Sequence, residues 1–156
     1  MPVTAVVAIV KRFPIWTGIG LFALFGFLFR DFVSGGVGDL KVGDCFDVSV
    51  TAPDGTVVKD VQHHPCSDLH VAEMLLITSM IGTDYPGVAI IEEFAKTKCV
   101  PAFQTYTGRD FDSDETYDMG YLRPTTDGWK KGDREVKCYA VRIDGQPSKG
   151  SVRASR

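Results

Sequence analysis

Hydrophobic and polar residues divide this chain into one long apolar stretch and a mixed remainder. Residues 13–29 carry no charged side chain, and a helix of that length spans about 26 Å, close to the hydrocarbon thickness of a bilayer. Phe32 and Val33 lengthen the stretch when the Arg30 side chain reaches toward the lipid headgroups. The pattern therefore predicts one transmembrane helix over residues 13–33.

The residues that flank this helix argue against cleavage and indicate an orientation. Arg30 and Asp31 follow the apolar stretch, where a signal peptide would have small residues of the Ala-x-Ala type. Cys45, the first cysteine, is too distant to be a lipidation site. Because Lys11 and Arg12 precede the helix, the positive-inside rule places the N-terminus in the cytoplasm. We expect a single-pass protein of the cell membrane with an extracytoplasmic C-terminal domain.

Gly20, Ala23 and Gly26 form a strip of small residues along the predicted membrane helix. Small residues let another helix approach closely, although glycine is also common in membrane helices without such a partner. Both interpretations stay open. A single-pass chain has no second membrane helix of its own, which favours helix packing against a partner.

Alternating apolar and polar residues predict β-strands in the remainder of the chain. Residues 45–50 and 56–61 alternate on either side of a turn at 53–55, which predicts a hairpin. The nearly continuous apolar residues of 70–80 favour a buried strand, and a final strand is expected over 135–143. These segments predict an antiparallel sheet.

Apolar residues recur at helical spacing from Val88 to Cys99 and predict a helix over residues 86–98. Pro101 is expected to end it, because proline lacks the backbone N–H that an interior position donates. A second short helical turn should follow, and residues 128–133 should form a turn. The predicted fold class is α+β, with a small antiparallel sheet and one or two helices.

Five segments describe the expected organisation of the chain. Residues 1–12 form the cytoplasmic N-terminus, 13–33 the transmembrane helix, 34–41 a glycine-rich linker, 42–147 the extracytoplasmic domain, and 148–156 a polar, basic tail that we expect to be mobile.

Four cysteines lie beyond the predicted membrane helix, in the compartment where disulfides persist. Two bridges are expected, and four cysteines allow three connectivities. We favour Cys45–Cys66 with Cys99–Cys138, because each joins neighbours in chain order and closes one half of the domain separately. Paired cysteines leave no thiolate for a catalytic nucleophile.

Charge and composition restrict the partners. The chain has 156 residues, enough for one domain and an anchor. Beyond residue 33 it carries 14 basic and 19 acidic side chains, a net charge of −5. Nucleic acid is therefore not an expected partner, since phosphate binding requires a basic surface.

One segment concentrates side chains that can ligate metals. It contains His63, His64, Cys66, Asp68 and His70. The spacing matches no common zinc motif, and a disulfide at Cys66 would remove its thiolate. We expect no metal, no cofactor and no catalytic residue, with His70 and Glu73 making local hydrogen bonds.

Residues 129–134 are a candidate binding loop, in which Trp129, Asp133 and Arg134 could contact a partner. The alternative, which we favour, is a turn in which Trp129 covers the edge of the core.

The order and spacing of several motifs resemble the septum-formation domain of actinobacterial envelope proteins, from residue 42 to about 151. The matching residues are Val42-Gly43-Asp44-Cys45, then Cys66, His70 and Glu73, then Tyr85-Pro86-Gly87, then Cys99, Phe103, Tyr106 and Gly108, and finally Trp129, Gly132-Asp133-Arg134 and Cys138. The family pattern tends to have proline where this chain has Leu69. The resemblance implies a role in the envelope and no known reaction.

The architecture of one membrane helix and a small outer domain also resembles accessory subunits of actinobacterial respiratory complexes. Our main hypothesis is a non-catalytic accessory subunit that docks on the outer face of a membrane complex, in particular the cytochrome bcc–oxidase supercomplex. The alternative is an envelope factor that acts in septum formation or binds the cell wall. The expected partners are cytochrome oxidase subunits or another integral membrane complex, together with the lipid bilayer.

Overall fold

The computed structural model describes residues 35–48 and 60–155. Among these residues no helix combines the length and the apolar character needed to cross a bilayer. The predicted membrane helix over residues 13–33 lies outside the described residues. So does its strip of small residues, Gly20, Ala23 and Gly26.

Within residues 35–48 and 60–155, six strands form one antiparallel sheet, as the alternating pattern predicts. In chain order they are β1 Gly35–Gly36, β2 Cys45–Asp47, β3 Asp60–His64, β4 Ala72–Ser79, β5 Tyr117–Leu122 and β6 Glu135–Arg142. Their order across the sheet is β1-β3-β2-β4-β6-β5. The antiparallel pairing expected of the predicted hairpin is found, with Phe46 in β2 opposite His63 in β3. The described part of the second strand is 60–64 where 56–61 was predicted, and the predicted turn at 53–55 lies outside the described residues.

One long helix, α1 (Val88–Thr107), packs on the sheet. Its buried side chains recur every fourth residue, so that they form one stripe along the helix. They are Ile91, Ala95, Cys99, Phe103 and Thr107. The helix ends at Gly108, whose φ of 69° suits glycine and whose N–H donates to the Gln104 carbonyl oxygen.

The predicted end of this helix at Pro101 is wrong, because α1 continues through the proline for six more residues. Cys99, two residues earlier, is tied to the sheet by a disulfide, and Phe103, two residues later, is fully buried. These tertiary contacts offset the backbone hydrogen bond that proline cannot donate. The expected turn at 128–133 also differs, since a short helix α2 (Thr126–Lys130) starts it.

Buried side chains form two clusters. The helix-side core contains the apolar residues of the α1 stripe, Ile91, Ala95, Cys99 and Phe103, and alternate residues of β6, namely Val136, Cys138 and Ala140. The second core contains Phe46 and Met74. The domain therefore buries apolar side chains in two separate clusters, although the chain is short.

A β-bulge in β4 changes which side chains face α1. Met74 pairs with Tyr139 in β6, but the next pair is Leu76 with Cys138, so Leu75 is an extra residue. A bulge interrupts the strict alternation of side chains along a strand. Leu75 and Leu76 consequently both pack on the helix-side core, while Met74 belongs to the second core.

Candidate functional site

All four cysteines of the sequence are paired. Cys45 bonds to Cys66 and Cys99 bonds to Cys138, with Cα–Cα distances of 5.2 and 5.5 Å. The connectivity favoured from chain order is confirmed. The second bridge joins α1 to β6 inside the helix-side core, whereas the first joins β2 to the loop before β4.

Residues 148–155, here called the C-terminal segment, lie against this loop and against α1. Ser148 and His70 exchange two backbone hydrogen bonds, of 3.0 and 2.9 Å. The Gly150 N–H donates to the Cys66 carbonyl oxygen at 2.6 Å, and the Ala154 N–H donates to that of Tyr106 at 2.9 Å. The expectation of a mobile tail is therefore wrong for residues 148–155, which pair with the domain along their length.

Glu73 is the centre of this attachment. Its side chain is 1% exposed, and its carboxylate accepts hydrogen bonds from the Tyr106 hydroxyl at 2.6 Å, the Ser151 hydroxyl at 2.6 Å and the Val152 N–H at 2.7 Å. Hydrogen bonds to a buried carboxylate are stronger than neutral ones. We call these four residues the Glu73 latch.

The latch alters the acidity of Tyr106. Burial of the phenol raises the pKa of Tyr106 above its ordinary value, and the hydrogen bond to Glu73 raises it further. Arg153, which lies over the ring, acts in the opposite direction. The protonated phenol that donates to Glu73 is thus the favoured form over a wider pH range.

Three buried groups in this region come close enough to be tested as metal ligands. The ligand atoms of Cys45, His70 and Glu73 all lie within 4.8 Å of one another. The Cys45 sulfur is bonded to Cys66, so it offers no thiolate, and the Glu73 oxygens already accept three hydrogen bonds. Cation ligation by this group would break the latch, so the arrangement fits a structural role better.

The histidine-rich segment does not come together around one point. The His63 ring faces Asp44 at 3.9 Å, and the His64 ring contacts Asp47 at 2.9 Å. His70 is 1% exposed, and its Nδ1 bonds to the Asp68 carbonyl oxygen at 2.9 Å. The local hydrogen bond expected for His70 is confirmed. The expectation of local hydrogen bonds for Glu73 is wrong, because its partners lie 33, 78 and 79 residues away in the chain.

The proposed binding loop forms a structural corner. Trp129 is 3% exposed, and its Nε1 donates to the Thr83 carbonyl oxygen at 3.0 Å. The Arg134 guanidinium lies 3.9 Å from the Trp129 ring centroid. It also donates to the carbonyl oxygens of Gly82, Trp129 and Asp133. The tryptophan therefore covers the core and is not presented to a partner, while Asp133 remains exposed.

A groove lies beside the latch. It is open to solvent and encloses about 520 Å³, within the usual range of small-ligand sites. Its lining residues are Leu75, Leu76, Pro101, Ala102, Thr105, Tyr106, Arg153, Ala154 and Ser155. Arg153 is the only charged residue in this set, and its guanidinium lies 4.5 Å from the Tyr106 ring centroid.

Sequence reasoning missed the C-terminal wall of this site. The pattern of residues 148–156 contains no strand or helix period, so Ser151, Val152 and Arg153 gave no signal. Cys66, Glu73 and Tyr106 did give one, because they belong to the motifs that carry the family resemblance. The structure brings these three together on the C-terminal segment, a relation that their positions in the chain do not reveal.

Comparison with known proteins identifies the chain at the level of its family. The family model described as Septum formation matches residues 42–155. The match extends through the C-terminal segment, in agreement with its attachment to the domain. No curated protein and no solved structure matches the chain significantly. Since the model covers most of the sequence, this protein belongs to the septum formation family.

Proposed function

We propose that the protein is an envelope factor that acts in septum formation, and that it acts by binding. The family match over residues 42–155 carries the proposal. It favours the septal hypothesis over the respiratory accessory subunit, which remains a prediction from architecture alone.

The chemistry of the described residues supports binding over catalysis. A cysteine nucleophile would need a free thiolate, and all four cysteines are in disulfides. Glu73 and His70 are the buried groups best suited to acid–base catalysis, but both form hydrogen bonds within the domain. The groove, by contrast, is accessible and combines an apolar floor with one cation.

Localisation tests this proposal. A fluorescent protein is fused to the N-terminus, because that end is predicted to be cytoplasmic and a C-terminal fusion would disturb the latch. The matched control carries only residues 1–41, which retain the predicted anchor and β1 but lack the other five strands of the sheet and α1. We expect the full chain to concentrate at the septum and the control to spread around the membrane.

Deletion of the gene provides the second measurement. We expect misplaced or incomplete septa, restored by the full chain and not by residues 1–41. An even distribution of the full-length fusion together with normal septa after deletion would contradict the proposal. Recovery of oxidase subunits and heme in fixed ratio with the tagged chain in mild detergent would instead favour the accessory subunit.

A further inference from the structure

Two kinds of side chain line the groove. Leu75 and Leu76, which the β-bulge turns toward the same side, line it together with Pro101 and Ala102 of α1. Arg153, in the C-terminal segment, is the charged residue of the lining. A ligand that fits both needs apolar groups for the floor and a negative charge for Arg153.

Arg153 is available for such a charge. Its side chain is exposed, and among the described residues no carboxylate forms an ion pair with it. Its contact with Tyr106 orients the guanidinium while leaving charge to be neutralised. An arginine can donate two parallel hydrogen bonds to a carboxylate.

The latch positions this cation before any ligand arrives. Ser151 and Val152, which directly precede Arg153, are hydrogen-bonded to Glu73, and Ala154, which follows it, is bonded to Tyr106. Both neighbours of Arg153 are therefore held by the domain. A prearranged binding group loses less conformational entropy when it binds.

Other classes of ligand fit the groove less well. A nucleic acid would require several cations, and the groove contains one. A sugar would use an exposed aromatic face, but Arg153 covers one face of the Tyr106 ring. A lipid chain would need an enclosed apolar cavity, whereas this groove is open. An extended peptide satisfies the open shape, the apolar floor and the single cation.

We infer that the groove binds an extended peptide segment of a partner protein, with an Asp or Glu side chain, or a terminal carboxylate, on Arg153 and apolar side chains on the leucine floor. This inference rests on the proposed function for the cellular role of the partner. The binding itself is tested in solution, so its failure is separate from any result on septal localisation.

The first experiment identifies peptides without assuming a partner. Purified full-length protein in detergent is used to select from a phage library of random eight-residue peptides. Phage that bind the Ala102→Trp variant are removed, because the indole of this variant is designed to obstruct the groove beside Ala102. We expect enriched peptides that combine an acidic group with apolar residues. Enrichment of peptides without an acidic group, or no enrichment over the Ala102→Trp variant, would overturn the inference.

The second experiment tests the ion pair with a matched control. An enriched peptide is synthesised, and its affinity is measured by fluorescence polarisation. Arg153→Gln should weaken binding about tenfold, as expected for loss of a charge-assisted contact. Lys149→Gln removes the same charge from the same segment outside the groove and should change binding less than about twofold.

Neutralising the acidic residue of the peptide completes a double-mutant cycle. This change should weaken binding to the wild-type protein about tenfold and leave binding to Arg153→Gln nearly unchanged. Equal losses with both proteins would show that the two charges do not interact and would overturn the assignment of Arg153. Thermal unfolding of each variant verifies that it remains folded.

Discussion

Two corners of the domain each place an arginine over an aromatic ring, but they use the pair differently. In the Trp129 corner, Arg134 lies over Trp129 and also donates to three backbone carbonyl oxygens. In the Tyr106 corner, Arg153 lies over Tyr106 beside an open groove. An arginine over an aromatic ring therefore stabilises the fold in the Trp129 corner, whereas in the Tyr106 corner the arginine remains available to a ligand.

The difference follows from what surrounds each ring. Trp129 is buried in the helix-side core and donates to the Thr83 carbonyl oxygen, and the Arg134 guanidinium over its ring donates to backbone carbonyl oxygens of the same corner. Tyr106 is half-buried, and its hydroxyl is already bonded to Glu73. An aromatic residue and an arginine close together in sequence thus do not by themselves mark a binding site. The exposure of the cation and its other partners decide its role.

The largest expected effect is at the Trp129 ring. Trp129→Ala should lower the free energy of unfolding by about 3–5 kcal/mol, because it leaves a cavity in the core and removes the support of Arg134. Tyr106→Phe keeps the aromatic ring and removes only the hydroxyl, so it should lower the free energy of unfolding by about 1 kcal/mol. Urea denaturation monitored by circular dichroism measures both. Similar losses of unfolding free energy in the two variants would contradict the view that the Trp129 ring supports the fold more than the Tyr106 hydroxyl does.

Glu73→Gln tests whether the Tyr106 corner depends on the latch. The amide presents donors where three donors converge, so we expect a loss of about 1–3 kcal/mol in unfolding free energy. Hydrogen exchange should accelerate in residues 148–155. Glu92→Gln is the control, because Glu92 forms an exposed pair with Lys96 and should contribute less than about 0.5 kcal/mol. Unchanged exchange in the C-terminal segment of Glu73→Gln would contradict the latch.

The two arginines give the most direct comparison. Arg134→Gln should lower the unfolding free energy by about 1–2 kcal/mol, because it loses a ring contact and several hydrogen bonds. Arg153→Gln should change it by less than about 0.5 kcal/mol. Chemical denaturation of the two variants and the wild type in parallel measures both changes in unfolding free energy. A larger loss at Arg153 would indicate that this residue is structural, as Arg134 is.

The smallest expected effect is the pH dependence of the latch. Since the pKa of Tyr106 is raised in the folded state, its contribution to stability is complete below pH about 10. It declines as the pH rises through the folded pKa. The difference in unfolding free energy between wild type and Tyr106→Phe should therefore narrow above pH about 10. Other tyrosines, including Tyr139, whose pKa burial also raises, are present in both proteins and cancel. A constant difference from pH 8 to the alkaline limit would contradict this assignment.

Much of the fold could be predicted because it depends on local periodicity. The alternation of apolar and polar residues predicted the pairing of β2 with β3 and the buried strand β4. Apolar residues at helical spacing predicted α1, with a start within two residues of the observed one. The disulfide connectivity favoured from chain order is the one found, with bridges that span 21 and 39 residues. The predicted end of α1 at Pro101 is wrong because the buried contacts of Cys99 and Phe103 outweigh the low helix propensity of proline.

The candidate site could be predicted only in part. Glu73 and Tyr106 were singled out by the family resemblance, but their partners Ser151 and Val152 lie 78 and 79 residues from Glu73. No periodic pattern marks so distant a contact. Arg153 belongs to a segment whose composition suggested mobility. The segment is held by hydrogen bonds to the domain and by the packing of an apolar side chain, Val152, against the helix-side core.

By itself, the sequence determined the α+β class, most of the sheet strands and the helical stripe, because these depend on the spacing of side chains along the chain. For the cysteines it left three connectivities open, of which chain order favoured one. Only the tertiary structure decided that Trp129 closes the core, that the bulge turns Leu75 and Leu76 to one side, and that Glu73 holds the C-terminal segment. The physical reason is that a hydrogen bond or an ion pair between distant residues forms only after the chain has brought them together, and local sequence carries no signal of that approach.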